Sequence, residues 1–165
     1  MLKRRGLTFL DMVIVVMILG LLAAVSMPRL ASVQRQNRLR SAALTMVEHL
    51  RLARETAVAQ GTPVTVVFTP SEATYQAPQV DDPERPGEFL QVDLRQRIHE
   101  GITLEALFNN SNTLEFGIDG LPRAAGRPVT SSLLRVADGS ASETVSLLHG
   151  WGTAQWQSPN SGGAP

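Results

Sequence analysis

The sequence predicts an α+β protein in which one long N-terminal helix, its first half membrane-spanning, packs on an antiparallel β-sheet. Three observations lead there. Residues 7–28 are almost wholly apolar. From Arg29 to Gln60 apolar side chains recur every three or four positions, the period of an amphipathic helix. After Gly61 the pattern changes to short β-branched runs separated by turn residues. The expected divisions are a leader at 1–6, a transmembrane helix at 7–28, its amphipathic continuation at 29–60, a β-rich body at 61–157, and a polar, Gly-rich tail at 158–165 that should be disordered.

The chain has 165 residues, of which about 137 follow the apolar segment, enough for one modest core. Fifteen basic and fifteen acidic residues balance, so total charge demands neither a nucleic acid nor an acidic partner. The absence of cysteine excludes disulfides, a Cys-ligated zinc and a thiol nucleophile. Lys3 is the one lysine; the other basic residues are arginines.

Lys3, Arg4 and Arg5 precede Gly6, and no charged side chain stands between Met12 and Pro28. From Leu7 to Met27 there are about 20 residues, sufficient at about 1.5 Å each to cross a hydrocarbon core of about 30 Å. The basic cluster in front orients the N-terminus to the cytoplasm and the body to the opposite side. A secretory signal peptide is the competing reading, with Ala23, Ala24 and Ser26 as a small-residue cleavage site. Against it, the helical pattern runs past Pro28, and Asp11 makes a poor apolar core for such a signal. An ionisable group inside a membrane span is expensive and usually functional, which singles out Asp11. Pro28 removes a helical hydrogen bond and should kink or loosen the helix there.

KRRG followed by LTFLDMVIVVMILGLLAAVSMP resembles the class III signal of type IV prepilins and type II secretion pseudopilins. The resemblance implies that a membrane-embedded prepilin peptidase cuts between Gly6 and Leu7 and methylates the new N-terminus. Asp11 is then the fifth mature residue, where the family carries an acid, nearly always glutamate. Leu7 stands where phenylalanine is commonest, and Pro28 where the family often has a helix-kinking proline. A glycine before the scissile bond allows close approach of a protease, having no Cβ. A carboxylate at Asp11 would be stranded in hydrocarbon, but beside a neighbour's free α-amino group it becomes half of an ion pair that reports register between subunits. The implied location is the inner membrane, single-pass, with the C-terminal domain periplasmic, and residues 7–28 then form the core of a filament of such subunits.

Beyond the membrane segment, Leu39, Ala43, Met46, Val47, Leu50, Ala53 and Ala57 make the apolar stripe of the helix. Gly61 is the expected left-handed cap and Pro63 the stop. Six arginines (29, 35, 38, 40, 51, 54) against Glu48 and Glu55 leave this helical half basic, as a solvated face or one attracted to lipid headgroups. Val64 to Thr69 and Ala73 to Ala77 read as a hairpin, Asp81 to Glu88 as a loop, Phe89 to Leu94 and Ile102 to Leu104 as strands. A turn at Asn109 to Asn112 leads into a strand at Thr113 to Phe116, and Gly117 to Pro128 is an irregular loop. Ser131 to Val136, a turn at Asp138 to Ser140, and Glu143 to Leu148 form the clearest hairpin, with Thr153 to Gln157 as an added edge.

The body also resembles the H-type (GspH/FimT-like) minor pseudopilins of type II secretion and related minor pilins. The matching pieces are HLRLARETAVAQGTPVTVVF (49–68), LEFGIDGLPRAAG (114–126) and a final hairpin ending near Gly150. The implied role is a structural subunit of a type II secretion pseudopilus, with a minor type IV pilin in pilus assembly or DNA uptake as the alternative. A single-pass protein with no filament role remains a third reading.

No catalytic residue, metal or cofactor is expected. His49, His99 and His149 lack ligand neighbours at metal-binding spacing, and the Asp81, Asp82, Glu84 loop lacks the alternation of a calcium loop. No nucleophile elbow or phosphate-cradling loop is present. Trp151 and Trp156 are read as core or edge-strand cover. DNA binding needs clustered cations near aromatics. The C-terminal stretch HGWGTAQWQSPNSGGAP has none, and Arg123, Arg127 and Arg135 are the only basic candidates beyond Arg97, so DNA is not a favoured partner.

Overall fold

The computed structural model describes residues 9–97, 101–139, 141–147 and 154–157, with the side chains of 23–32 and 156–157 outside the description. The chain divides into two units, Met1–Asn37 and Arg38–Pro165. Helix α1 (Phe9–Gln60) supplies the first unit and opens the second. Its backbone continues as helix through Pro28, where a kink or loosening is expected. The leader residues and the tail at 158–165 lie outside the described residues.

In the second unit the stripe named from the sequence is the buried one. Leu39, Ala43, Met46, Val47, Leu50, Ala53 and Ala57 are all nearly inaccessible, joined by Ala42. Gly61 adopts φ 63°, the left-handed conformation that ends a helix without a Cβ penalty. Among the described residues, ten strands and a short helix follow: β1 (Val64–Thr69), β2 (Thr74–Asp81), β3 (Phe89–Asp93), α2 (Leu94–Arg97), β4 (Thr103–Phe108), β5 (Thr113–Phe116), β6 (Pro122–Ala124), β7 (Arg127–Pro128), β8 (Ser132–Ala137), β9 (Ser142–Leu147) and β10 (Ala154–Gln157).

The described strands form two antiparallel sheets rather than the single one expected. One has the order β3-β2-β1-β5-β6-β7, the other β10-β9-β8-β4. The division follows from β4, which pairs with β8 from Thr103↔Ala137 to Phe108↔Ser132 and so gathers the C-terminal strands onto a sheet of their own. Strand β4 is longer than the expected Ile102 to Leu104, because Leu104, Ala106 and Phe108 alternate inward along it. Tertiary pairing here overrides the helix propensity of Glu105, Ala106 and Leu107.

Two further boundaries move for local reasons. Ala73, expected to start a strand, sits in the β1–β2 turn at φ 55°, with its N–H donating to the Pro70 carbonyl. The expected strand through Leu94 stops at Asp93, whose Oδ1 accepts from the N–H groups of Arg95 and Gln96 at 2.8 and 3.1 Å. That is an N-cap, and it turns Leu94–Arg97 into one helical turn. The expected irregular loop after Gly117 contains the β6–β7 hairpin, closed by Ala125 and Gly126 at φ 51° and 73°. Both central residues at positive φ are the mark of a tight hairpin turn whose twist matches its strands.

Aromatic rings join the layers. Phe108 of β4 lies 5.4 Å from Phe68 of β1, Phe68 lies 5.8 Å from Tyr75 of β2, and Tyr75 lies 5.8 Å from His49 of α1. Both sheets and the helix therefore meet along one line of ring contacts. Phe68→Ala should remove its centre and destabilise the second unit by about 3–5 kcal/mol. The denaturation midpoint of the full chain, followed by circular dichroism, checks this; a loss below about 1 kcal/mol would contradict the central role given to the ring.

Candidate assembly surface

The described N-terminal part of α1 is an apolar helix with no cover. All side chains from Phe9 to Leu22 are exposed, and the large apolar ones range from 47% for Val13 and Ile14 to 84% for Phe9. Soluble proteins rarely leave so continuous an apolar surface open. Asp11 is the acid in the first turn of α1, where the positive end of the helix dipole favours a carboxylate. Leu10 and Met12 flank it at 66% and 64% exposure. Lys3, Arg4, Arg5, Gly6 and Leu7 lie outside the described residues, and so does the Pro28 side chain. Among the described residues, no helix is long and apolar enough to cross a membrane.

The second unit holds a buried polar pair. The Tyr75 hydroxyl and His49 Nδ1 share a buried 2.7 Å hydrogen bond. Burial, helped by the nearby Arg97 charge, holds the His49 pKa below its ordinary 6.5, and burial pushes Tyr75 well above the usual tyrosine range. Both are therefore neutral partners. His49 stands three residues after Met46 and four before Ala53, so its burial follows from the helical period. Its partner 26 residues away does not. His99 and His149 lie outside the described residues. Among the described residues, no three metal-ligating side chains converge.

The other polar groups hold loops. Burial raises the Asp82 carboxyl, but the Glu84 backbone N–H and the Arg85 guanidinium outweigh it, leaving Asp82 below the usual carboxylate range. In the 117–123 loop, the Arg123 guanidinium grips Asp119 with both nitrogens at 3.0 and 2.6 Å. This bidentate bond lowers the Asp119 pKa and raises that of Arg123. A Cβ on Gly117 would fall 1.6 Å from Arg123 Nη1, so only glycine lets that side chain cross. Arg54 Nε donates to the Gly120 carbonyl at 3.1 Å and ties the loop to α1. Of the three downstream arginines considered for DNA, Arg123 is held by Asp119 and Arg135 faces Glu105 at 3.7 Å, while Arg127 stands exposed on β7.

The family described as type II transport protein GspH matches residues 42–151. The fold is similar to the crystal structure of the type IV minor pilin FimU of Pseudomonas aeruginosa, with a TM-score of 0.54 and 17% identity over 74% of this chain and 90% of that one. No curated protein matches the chain.

The neutral His49 has a consequence for acid stability. Unfolded, it takes up a proton near pH 6.5; folded, it resists until a lower pH. Its contribution is thus complete above about pH 6.5 and lost as pH falls toward the folded value. The denaturation midpoint should drop as pH falls below about 6.5, and His49→Gln should flatten that drop. Equal slopes in the native and variant chains would show that His49 does not titrate in this way.

Proposed function

We propose a function from one premise: this chain belongs to the GspH family of type II transport proteins. It is a pilin-like subunit, with the α-helix and antiparallel sheets of that fold, in a family whose members assemble with subunits of their own kind. The specific role we assign is that of a non-enzymatic minor pseudopilin in the pseudopilus of a type II secretion system. The observation that carries this reading is the uncovered apolar helix Phe9–Leu22 with Asp11 in its first turn. Such a helix is stored in the inner membrane and transferred to the core of a filament, where the neighbouring helices replace lipid.

The order of events follows from the residues. Lys3, Arg4 and Arg5 hold the leader on the cytoplasmic side. Prepilin peptidase cuts after Gly6, Leu7 becomes the methylated N-terminus, and the domain beyond Pro28 faces the periplasm. Asp11 then pairs with the α-amino group of an adjacent subunit in a low-dielectric core. A minor type IV pilin is the second reading, favoured by the likeness of fold to FimU. DNA uptake has less support, because Arg123 and Arg135 already face carboxylates.

Mass spectrometry of the mature chain should find Leu7, methylated, at the N-terminus; a start near Met27 would establish ordinary secretion instead. Removing one member of a buried ion pair costs about 3–5 kcal/mol, so Asp11→Ala should lower recovery in sheared filaments by about 100-fold or more. Asp11→Glu should retain it, and unchanged recovery of the alanine variant would remove the proposed pairing. Loss of protein secretion on deletion of the chain, with twitching and DNA uptake intact, separates the pseudopilus from the pilus.

A further inference from the structure

The loop between β5 and β6 carries the pair Asp119–Gly120, and an aspartate followed by glycine is among the most easily isomerised links in a polypeptide. Glycine has no Cβ to keep its nitrogen away from the preceding side chain. The Gly120 nitrogen attacks the Asp119 carboxyl carbon, a carbon–nitrogen bond forms, and the carboxyl hydroxyl leaves as water with the amide proton. Water then opens the cyclic imide at either carbonyl, returning aspartate or giving isoaspartate, in which the backbone runs through the side-chain carbon. No atom is gained or lost overall, and water is the co-reactant.

Contacts within the loop oppose this reaction at both partners. The attack needs a neutral carboxyl, because a carboxylate offers no leaving group. Arg123 Nη1 and Nη2 hold both Asp119 oxygens, at 3.0 and 2.6 Å, and so favour the ionised form. The Asp119 pKa lies below its ordinary value chiefly for this reason, and the Leu121 N–H, donating to Oδ1 at 3.1 Å, adds to it. The nucleophile is engaged as well, since the Gly120 N–H donates to the Gly117 carbonyl at 2.8 Å. The Gly120 carbonyl accepts from Arg54 Nε at 3.1 Å, which pins the peptide to α1. Among the described residues, the charged groups that bear on the site are Arg123 of β6 and Arg54 of α1, with Glu115 of β5 acting on Arg123. The Asp119 side chain is 40% exposed, so water reaches it and the contacts alone stand against the reaction.

We propose that Asp119–Gly120 is a latent isoaspartate site and that Arg123 is the positioning residue that keeps it closed, by holding the carboxylate ionised and in place. Isoaspartate would lengthen the backbone of this tight loop by one carbon, which its bonds from Gly117 to Leu121 and from Arg54 to Gly120 leave no room for. The site is separate from the filament role, which rests on the N-terminal helix.

The full chain in nonionic detergent is aged in warm buffer and cut with a protease specific for glutamate. One peptide, residues 116–143, then carries both Asp119–Gly120 and the second such pair, Asp138–Gly139. Electron-transfer fragmentation reads isoaspartate at each position, and Asp138 serves as the internal reference. Arg123→Gln should raise accumulation at position 119 by about threefold or more over the native chain, with position 138 unchanged. Gly117→Ala, whose Cβ would fall 1.6 Å from Arg123 Nη1, should do the same by displacing the guanidinium without removing it. The excess of Arg123→Gln over the native chain should shrink as pH falls from about 7 toward about 4, because acid protonates the carboxyl in both. A loop that had merely loosened would keep the same excess at every pH. The proposal is overturned if position 119 ages at the native rate in Arg123→Gln, if position 138 rises in step with it in both variants, or if the excess does not change with pH.

Discussion

The line of ring contacts from His49 through Tyr75 and Phe68 to Phe108 is the constraint on which the second unit most depends. It joins α1 to β2, and through Phe68 and Phe108 it extends to both sheets. Around it the helix contributes buried alanines at 42, 43, 53 and 57. Because the His49–Tyr75 pair is neutral, no charge has to be removed from water to build this core. A protonated histidine here would face the Arg97 field in a water-poor site, so the same contact that secures the unit also makes it sensitive to acid.

One helix thus carries two apolar surfaces with different fates. The stripe from Leu39 to Ala57 is buried within the chain, while the side chains from Phe9 to Leu22 are exposed. The first accounts for a stable β-rich body, the second for a subunit that needs a surrounding medium. Asp11 belongs to the second surface, an acid among exposed apolar side chains.

Arginine does the positioning work of the body. Arg54 and Arg123 hold the 117–123 loop, and Arg85 holds the 82–88 loop. A planar fork suits these tasks because it can bind carboxylates and carbonyls together. Arg97 pairs with Glu84 and, with Arg38, flanks a hollow beside α1.

The sequence by itself determined the helix, its buried stripe, the Gly61 cap and most strand centres, because each rests on a period or a local backbone preference. The C-terminal hairpin fell within a residue or so of its structural position for the same reason. It also singled out Asp11, since an acid in an apolar run is conspicuous without a structure. What only the tertiary structure decided were the non-local matters: the split into two sheets through β4 and β8, the His49–Tyr75 bond, and the Arg38–Arg97 cleft. Each joins residues far apart in the chain, where no local period carries the information. Even the short α2 turn follows this division, for Asp93 can cap a helix or continue a strand, and the pairing limits of β2 and β3 decide which.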